Sequence, residues 1–395
     1  MDAPSRGRRR ILWLACGFHL LHDGLTDALY LVFPLAAAAF RLSLAQVGLL
    51  KGTYSGVFSL GQVPVSLAAE RVGEVVLLGL GTAALAVGFG LLGTAPSFLV
   101  LLLTLALGGL GASTQHPLGA ALVSRAYEGE GRRLGLGTYN FSGDVGKAGV
   151  AATAGLLAGI IGWQGMTRVI GGVVLALVAP LSLALRSIAP GRASGTAAST
   201  TEARGGWHGV LSPRFGLLAA IAILDNSTRT GLLTFLPFLL VAKGLAVEQT
   251  GLALALLFAG GATGKFVCGA LAEWVGIVPM VILTEIMTSG LILSLLALPG
   301  QWLLLIVPLV GLALNGTSSV LYATVADLVG PTARARAYGL FYSITTASGA
   351  VGPALYGLLG DAAGVTAVML ALAVAILGTV PLALAMPAMG GKTSQ

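Results

Sequence analysis

The heptapeptide LAAERVG at 67–73 returns 203 residues later as ALAEWVG at 270–276. At the same interval, Gln46-Val-Gly48 recurs as Gln249-Thr-Gly251. Three further matches lie 202 residues apart, and they pair Asp23 with Asp225, Arg132 with Arg334, and Gly137 with Gly339. Such a collinear series indicates an internal duplication. Duplicated halves are typical of secondary transporters, in which one half rocks against the other around a site near the membrane midplane.

The composition is that of a membrane protein. Of the 395 residues, 56% are hydrophobic and only 9% charged, and the mean hydropathy is +0.92. Soluble domains carry about a quarter charged residues. The 58 glycines suit the close helix contacts that form in lipid. Only two cysteines occur, Cys16 and Cys268, so neither a disulfide framework nor a cysteine-type metal motif is predicted.

Twelve apolar runs reach the length of about twenty residues that a spanning helix needs. We expect a first half at 1–189 and a second half at 213–395, each with six spans, joined by a polar linker at 190–212. The predicted spans are 11–38, 45–69, 74–94, 97–123, 136–158, 163–187, 213–241, 247–271, 277–298, 301–325, 337–359 and 363–387.

Basic residues predict the orientation. If the N-terminus is cytoplasmic, 15 of the 22 lysines and arginines lie in inner segments. This bias places both termini in the cytoplasm. It also accounts for the net charge of +7, so no nucleic-acid partner is predicted.

Short motifs carry a family resemblance. AAERVGEVV (68–76) is similar to the Gly-x-x-x-Asp-Arg-x-Gly-Arg-Lys loop of the major facilitator superfamily, with Glu for Asp and without the basic pair. HLLHDG (19–24), FPLAAAAFRLSLAQVGLL (33–50) and QHPLGAALVSRA (115–126) resemble the fosmidomycin-resistance family of bacterial exporters. The resemblance implies an all-α fold of twelve transmembrane helices in two pseudo-symmetric halves, located in the bacterial inner membrane. It also implies drug efflux by alternating access.

Titratable residues inside the spans are the candidate site. Each costs about 2.5–3.5 kcal/mol on insertion scales, so it needs a reason to be there. His19, Asp23 and Asp27 are spaced i, i+4, i+8, which places them on one helical stripe. By residue count, His116 and Asp144 lie at the depth of His19. The predicted proton-coupling and substrate-binding residues are His19, His22, Asp23, Asp27, His116, Asp144, Lys147, Asp225 and Arg229.

Structural roles compete with these assignments. Asp144 and Lys147 are spaced i, i+3 and could simply neutralise each other. Asp225 and Arg229 could do the same at i, i+4, although a guanidinium also suits a carboxylate or phosphonate ligand. Equal depth predicts an ion pair between Lys265 and Glu285. We expect Lys51, near the outer end of its span, to extend to the lipid headgroups.

A second group of charges lies in the predicted inner loops. In superfamily members such residues form a latch between helices, so the resemblance implies a gating role for them. The predicted gating residues are Glu70, Arg71, Arg132, Glu273 and Arg334.

These patterns predict a proton-coupled secondary transporter that exports a small polar or anionic compound, without a cofactor and as a monomer in the lipid bilayer. No nucleophile elbow, zinc-protease motif or P-loop occurs, so an enzyme is not predicted. The alternative is transport of a divalent metal ion or its chelate through the His/Asp cluster. The Gly-Pro motif of proton antiporters is missing from span five, whereas SGAVGPALYG occurs at 348–357, so symport stays open.

Overall fold

The computed structural model describes residues 3–127, 131–188, 212–329 and 334–386, and the regular structure in these ranges is helical. The predicted linker at 190–212 therefore lies almost entirely outside the described residues. In lipid a helix satisfies its own backbone groups, which is why long apolar runs fold this way. The helices are α1 (Ala3–Phe40), α2 (Leu44–Val72), α3 (Glu74–Leu92), α4 (Phe98–Ala112), α5 (Gln115–Ala126), α6 (Arg132–Ile188), α7 (Pro213–Ala242), α8 (Val247–Val275), α9 (Ile277–Ala297), α10 (Gly300–Leu328), α11 (Arg334–Leu377) and α12 (Thr379–Leu384).

These helices make twelve membrane crossings. Within the described ranges, eight helical stretches are long and apolar enough to span a membrane. Two of the eight reverse direction at a glycine in the left-handed region, Gly162 in α6 (φ 72°) and Gly364 in α11 (φ 83°), so each contains two crossings. The helices α2 and α7, with 29 and 30 residues, add the last two. The predicted fold class is confirmed.

The halves touch along α2 and α11 at the end of the molecule opposite the N-terminus. A Cβ atom on Gly48 would collide with the backbone of Pro353, and one on Gly52 would lie 2.7 Å from the carbonyl oxygen of Ala350. One turn further along the same face, a Cβ on Gly56 would meet nothing within 4 Å. The two helices therefore diverge below Gly52.

The start of α2 is fixed by groups from both halves. Ser43 accepts a hydrogen bond from the backbone N–H of Gln46 at 3.2 Å, as the N-cap of a capping box. Asp361 in α11 accepts from the N–H groups of Leu44 at 2.6 Å and Ala45 at 3.2 Å. The unpaired donors of the first turn are thus satisfied partly by a carboxylate from the opposite half.

The helices α6 and α8 form a second close contact between the halves at this same end. A Cβ on Gly251 would lie 2.6 Å from the Cα of Gly155. Gly159 lies against the side chain of Glu248. These two contacts bring backbones together at one end, so the molecule is closed there. Further toward the end that carries the termini, the halves touch through side chains, such as Gln62 with Tyr342 at 3.5 Å.

Candidate functional site

A cavity of about 440 Å³ lies between the two halves. Three cationic side chains reach its wall: Lys51 from α2, Arg229 from α7 and Lys265 from α8. Among the described lining residues, Asp23 is the one carboxylate. A smaller cavity of about 170 Å³ is lined by Asp27, Asp144 and Lys147, and Arg229 lines it as well. The larger space is therefore weighted toward positive charge, and the carboxylates gather beside it.

Asp23 is the centre of the first cluster. Its Oδ2 lies 3.4 Å from Nε2 of His19 and 3.4 Å from Nζ of Lys147. Its Oδ1 lies 3.9 Å from Nε2 of His116, whose side chain is 41% exposed. Three helices thus each bring a proton-accepting or cationic group to the Asp23 carboxylate. The partly exposed His116 lies between this carboxylate and the large cavity.

The orientation of His19 follows from its neighbours. Its Nδ1 lies 2.7 Å from the backbone carbonyl oxygen of Tyr139, which can only accept, so Nδ1 carries a proton and donates. The ring stacks on that of Tyr139 with a centroid separation of 4.3 Å. The other nitrogen, Nε2, is buried and is left facing Asp23. It can take up a proton and, once charged, bind that carboxylate.

Glycines allow the helices α1 and α6 to approach closely enough for this contact. A Cβ on Gly143 would lie 2.6 Å from Oδ2 of Asp23 and 2.8 Å from Nε2 of His19. Gly146 lies against the backbone of Leu20. A side chain at Gly143 would therefore occupy the space of the site itself.

Lys147 connects three carboxylates. Its Nζ lies 3.4 Å from Asp23, 3.5 Å from Asp27 and 3.8 Å from Asp144. Asp144 also accepts from Nζ of Lys265 in the opposite half, at 2.8 Å from each carboxylate oxygen. The predicted pair of Asp144 and Lys147 is thus one link of a larger network that crosses between the halves.

His22 faces away from this network. Its Nε2 lies 2.6 Å from Oγ1 of Thr82, and that hydroxyl donates its own proton to the carbonyl of Leu78 at 2.7 Å. The histidine must therefore donate through Nε2, and the side chain is only 1% exposed. This geometry favours a structural role for His22.

The equivalent region of the second half is arranged differently. Asp225 is buried, and in the described part of the chain it makes no ion pair within 4 Å with Arg229. Arg229 instead donates through Nη2 to Oδ1 of Asn226 at 2.5 Å, and Asn226 donates to the carbonyl of Thr345. The two predicted partners are one helical turn apart but do not form the simple pair that their spacing allows.

Two expectations from the sequence are wrong. Lys265 pairs with Asp144 instead of Glu285. Lys51 does not extend to the headgroups: it is 5% exposed and lies against the rings of Tyr30 and Tyr54, at 4.6 and 5.4 Å from their centres. Both residues do lie inside the predicted spans. The errors concern the direction in which each side chain points.

At the end that carries the termini, Arg125 in α5 forms an ion pair with Glu74 at the start of α3. The predicted gating residues lie nearby on exposed surface, with side chains that face solvent at Glu70, Arg71, Arg132 and Glu273. The side chain of Arg334 lies outside the described part of the chain. Sequence reasoning missed Glu74, although it lies within the quoted motif AAERVGEVV and in the first turn of a helix, where a carboxylate is stabilising.

Comparison with known proteins agrees with this architecture. The family model of the Major Facilitator Superfamily matches residues 14–310 and 215–392. The uncharacterized MFS-type transporter YfnC of Bacillus subtilis is 28% identical over 364 residues, which cover 90% of this chain and 87% of the relative. The fosmidomycin resistance protein of Escherichia coli is 24% identical over 356 residues, with coverage of 87% and 84%.

A solved structure shows the same fold. The crystal structure of a bacterial homolog to the human lysosomal transporter Spinster, inward-facing and unoccupied, superposes with a TM-score of 0.77 at 19% identity. The match covers 98% of this chain and 97% of that one. The duplicated helical fold, the cavity between its halves and the family match agree, and the chain is a member of the Major Facilitator Superfamily, a family of membrane transporters and not of enzymes.

Proposed function

We propose that this transporter couples the movement of a proton to the export of a small polar or anionic compound by alternating access. The network around Lys147 carries the proposal. Three carboxylates (Asp23, Asp27 and Asp144) and two ammonium groups (Lys147 and Lys265) are linked by contacts of 4 Å or less. Three negative and two positive charges leave one negative charge in excess.

An excess charge in a buried network favours the uptake of one proton, because a low-dielectric site penalises net charge. His19 offers a place for that proton at Nε2, which already faces Asp23. Asp23 and His116 both line the large cavity, so the proton has a route to the open side. Loading and unloading this proton changes the charge of the network from balanced to negative, which can bias the two access states.

The cavity supports an anionic or polar cargo. Its wall carries three cations for one carboxylate, together with the hydroxyl groups of tyrosines such as Tyr54 and Tyr322. Export is the direction suggested by the name of the Escherichia coli relative, a resistance protein. With both termini in the bacterial cytoplasm, as the basic residues predict, the cavity is open to the cytoplasm. We expect the monomer to be the working unit.

A divalent metal ion is the second candidate cargo, because one ligand atom from each of His19, Asp23 and His116 lies within 4.8 Å of the others. Imidazole and carboxylate suit ions such as Mn²⁺, Ni²⁺ or Zn²⁺. Lys147 opposes this reading, since its ammonium group lies 3.4 Å from Asp23 and would repel a dication. Calorimetry with each ion on the purified protein separates the two candidates, and saturable binding that Asp23→Asn removes would favour the metal.

The test of proton coupling uses proteoliposomes with an imposed pH gradient. The substrate panel begins with fosmidomycin, the compound for which the Escherichia coli relative is named, and continues with sugar phosphates and sugar acids. We expect Asp23→Asn to abolish gradient-driven transport while exchange of labelled for unlabelled substrate continues. Glu74→Gln removes a carboxylate outside both the network and the contacts between the halves and serves as the control. Full gradient-driven transport by Asp23→Asn would show that the network is not the proton site.

A further inference from the structure

On the basis of the proposed function, we propose that Lys51 and Arg229 together bind the substrate, and that the substrate carries two negative charges, one held by each half of the molecule. Lys51 belongs to α2 in the first half, and Arg229 belongs to α7 in the second. Both line the same cavity of about 440 Å³. Within the part of the chain that the structure describes, neither has a carboxylate within 4 Å, which a cation at membrane depth ordinarily requires.

Lys51 is a buried ammonium group that makes no ion pair with a described residue. In the described part of the chain, no carboxylate oxygen lies within 4 Å of its Nζ. Its contacts with the Tyr30 and Tyr54 rings attract the ammonium group but carry no net negative charge. Removing an ammonium ion from water is costly unless an opposite charge lies close to it. An anion in the cavity would supply the missing charge.

Asp27 does not fill this role. Its charge acts on Lys51, but its carboxylate is held 3.5 Å from Lys147. The position of Lys51 between two aromatic rings fixes the ammonium group at the cavity wall, so an arriving anion meets a cation that is already in place. Such preorganisation reduces the cost of binding.

Arg229 has N–H groups that make no hydrogen bond to a described residue. One Nη2 hydrogen bond goes to Asn226, while Nε is buried and has no partner among the described residues. The guanidinium carries five N–H groups in a planar fork, which suits two oxygens of one acidic group. Asp225 and Glu285 are buried in the same half and lie outside the lining of the large cavity. Asp27 and Asp144 share the smaller cavity with Arg229, but each is held by a lysine.

The other two intramembrane cations are already neutralised. Lys147 contacts three carboxylates, and Lys265 makes two hydrogen bonds of 2.8 Å to Asp144. Among the described residues, Lys51 and Arg229 are the intramembrane cations without a carboxylate within 4 Å, and they come from different halves. A dianion that engages both would draw the halves together around itself, whereas a monoanion would leave one cation unpaired.

The test measures binding at fixed pH, without a proton gradient, by calorimetry on the purified full chain in detergent. Two matched pairs of probes are used: succinate with its monoamide succinamate, and glucose 6-phosphate with glucose. We expect at least one dianion to bind, and to bind about 10- to 100-fold tighter than its partner, the change in Kd that one hydrogen bond to a charged group gives.

Variants assign that preference to the two cations. Lys51→Met and Arg229→Met should each reduce the ratio within the succinate pair to near unity, and Lys51→Arg should retain it. Arg168→Met is the matched control, because Arg168 is exposed and bonds only within its own helix. Because binding is measured without a proton gradient, a failure of proton coupling alone leaves this preference unchanged, which separates this inference from the coupling mechanism.

Three results would overturn the inference. One is that no dianion binds the unsubstituted protein up to high millimolar concentration. Another is that dianions bind no better than their partners. The third is that Lys51→Met and Arg229→Met both keep the full preference while their thermal unfolding matches that of the unsubstituted protein.

Discussion

Asp361 should control how readily the closed end of the transporter opens. Its carboxylate belongs to the second half, yet it accepts hydrogen bonds from the backbone of Leu44 and Ala45 in the first half, at 2.6 and 3.2 Å. These bonds exist only while the two halves are in contact at this end. Replacing Asp361 by alanine therefore removes an interaction that favours the closed arrangement over the arrangement open at this end.

The size of the effect can be estimated from cap removal. Loss of a side-chain cap at a helix N-terminus costs about 0.5–2 kcal/mol, typically about 1. Asp361 is exposed, so solvent screens its charge and the typical value is the appropriate one. A change of about 1 kcal/mol shifts the ratio of closed to open molecules about fivefold. Since Ser43 still caps Gln46, the helix itself should remain intact.

Distances between spin labels at Thr94 and Thr366 would report this shift. Both positions are exposed, and they lie near the closed end of the first and second halves. The native cysteines, Cys16 and Cys268, are buried and should label slowly. We expect the long-distance population to grow about fivefold in Asp361→Ala, and less in Asp361→Asn, whose amide oxygen still accepts one bond. Identical distance distributions in all three proteins would refute the reasoning.

Two further predictions concern stability. Thr82→Val leaves the buried Nε2–H of His22 without an acceptor and should lower the free energy of unfolding by about 1–3 kcal/mol. Thr104→Val, at a buried threonine that bonds only within its own helix, should cost less, and the pH dependence of transport should not change in either variant. For Glu74 and Arg125, whose side chains are 21% and 35% exposed, a double-mutant cycle with Glu74→Gln and Arg125→Met should give a coupling of about 0.2–1 kcal/mol that decreases with salt. A coupling above this range, or one insensitive to salt, would contradict the assignment of a partly solvated pair.

The fold could be predicted because lipid leaves few alternatives. A chain without water around it must satisfy its backbone within each span, so every apolar run of sufficient length becomes a helix. The repeat then fixes the pairing of the halves. The reversals inside α6 and α11 also follow the repeat, because Gly162 and Gly364 are separated by the same 202 residues as Asp23 and Asp225.

The site could be predicted only along the axis of each helix. Counting residues from a span's end gives depth, and depth brought His19, His116 and Asp144 to one level. It does not give the direction in which a side chain points around the helix. Lys265 shows the consequence, because Glu285 and Asp144 are both candidates by depth, and only the packing of α6 against α8 selects Asp144.

Lys51 shows a second limit. A lysine near the end of an isolated span would extend to the headgroups. Here α2 is covered at that end by α11 from the opposite half, so the side chain is directed inward, against Tyr30 and Tyr54. The contact between the halves depends on the access state, so it cannot be predicted from the sequence of α2 alone.

The two halves share their hinges and contacts but not their charges. Gly48 and Gly251 occupy matching positions and both permit close interhalf contact, because closure requires small residues on each side. Lys147, in contrast, corresponds to Gly349, and Asp144 corresponds to Thr346, at the 202-residue interval. The proposed coupling requires only one copy of the network, which is consistent with the divergence of the second copy. That divergence leaves Arg229 where the first half has Asp27, and it gives the cavity the positive charge from which an anionic substrate is inferred.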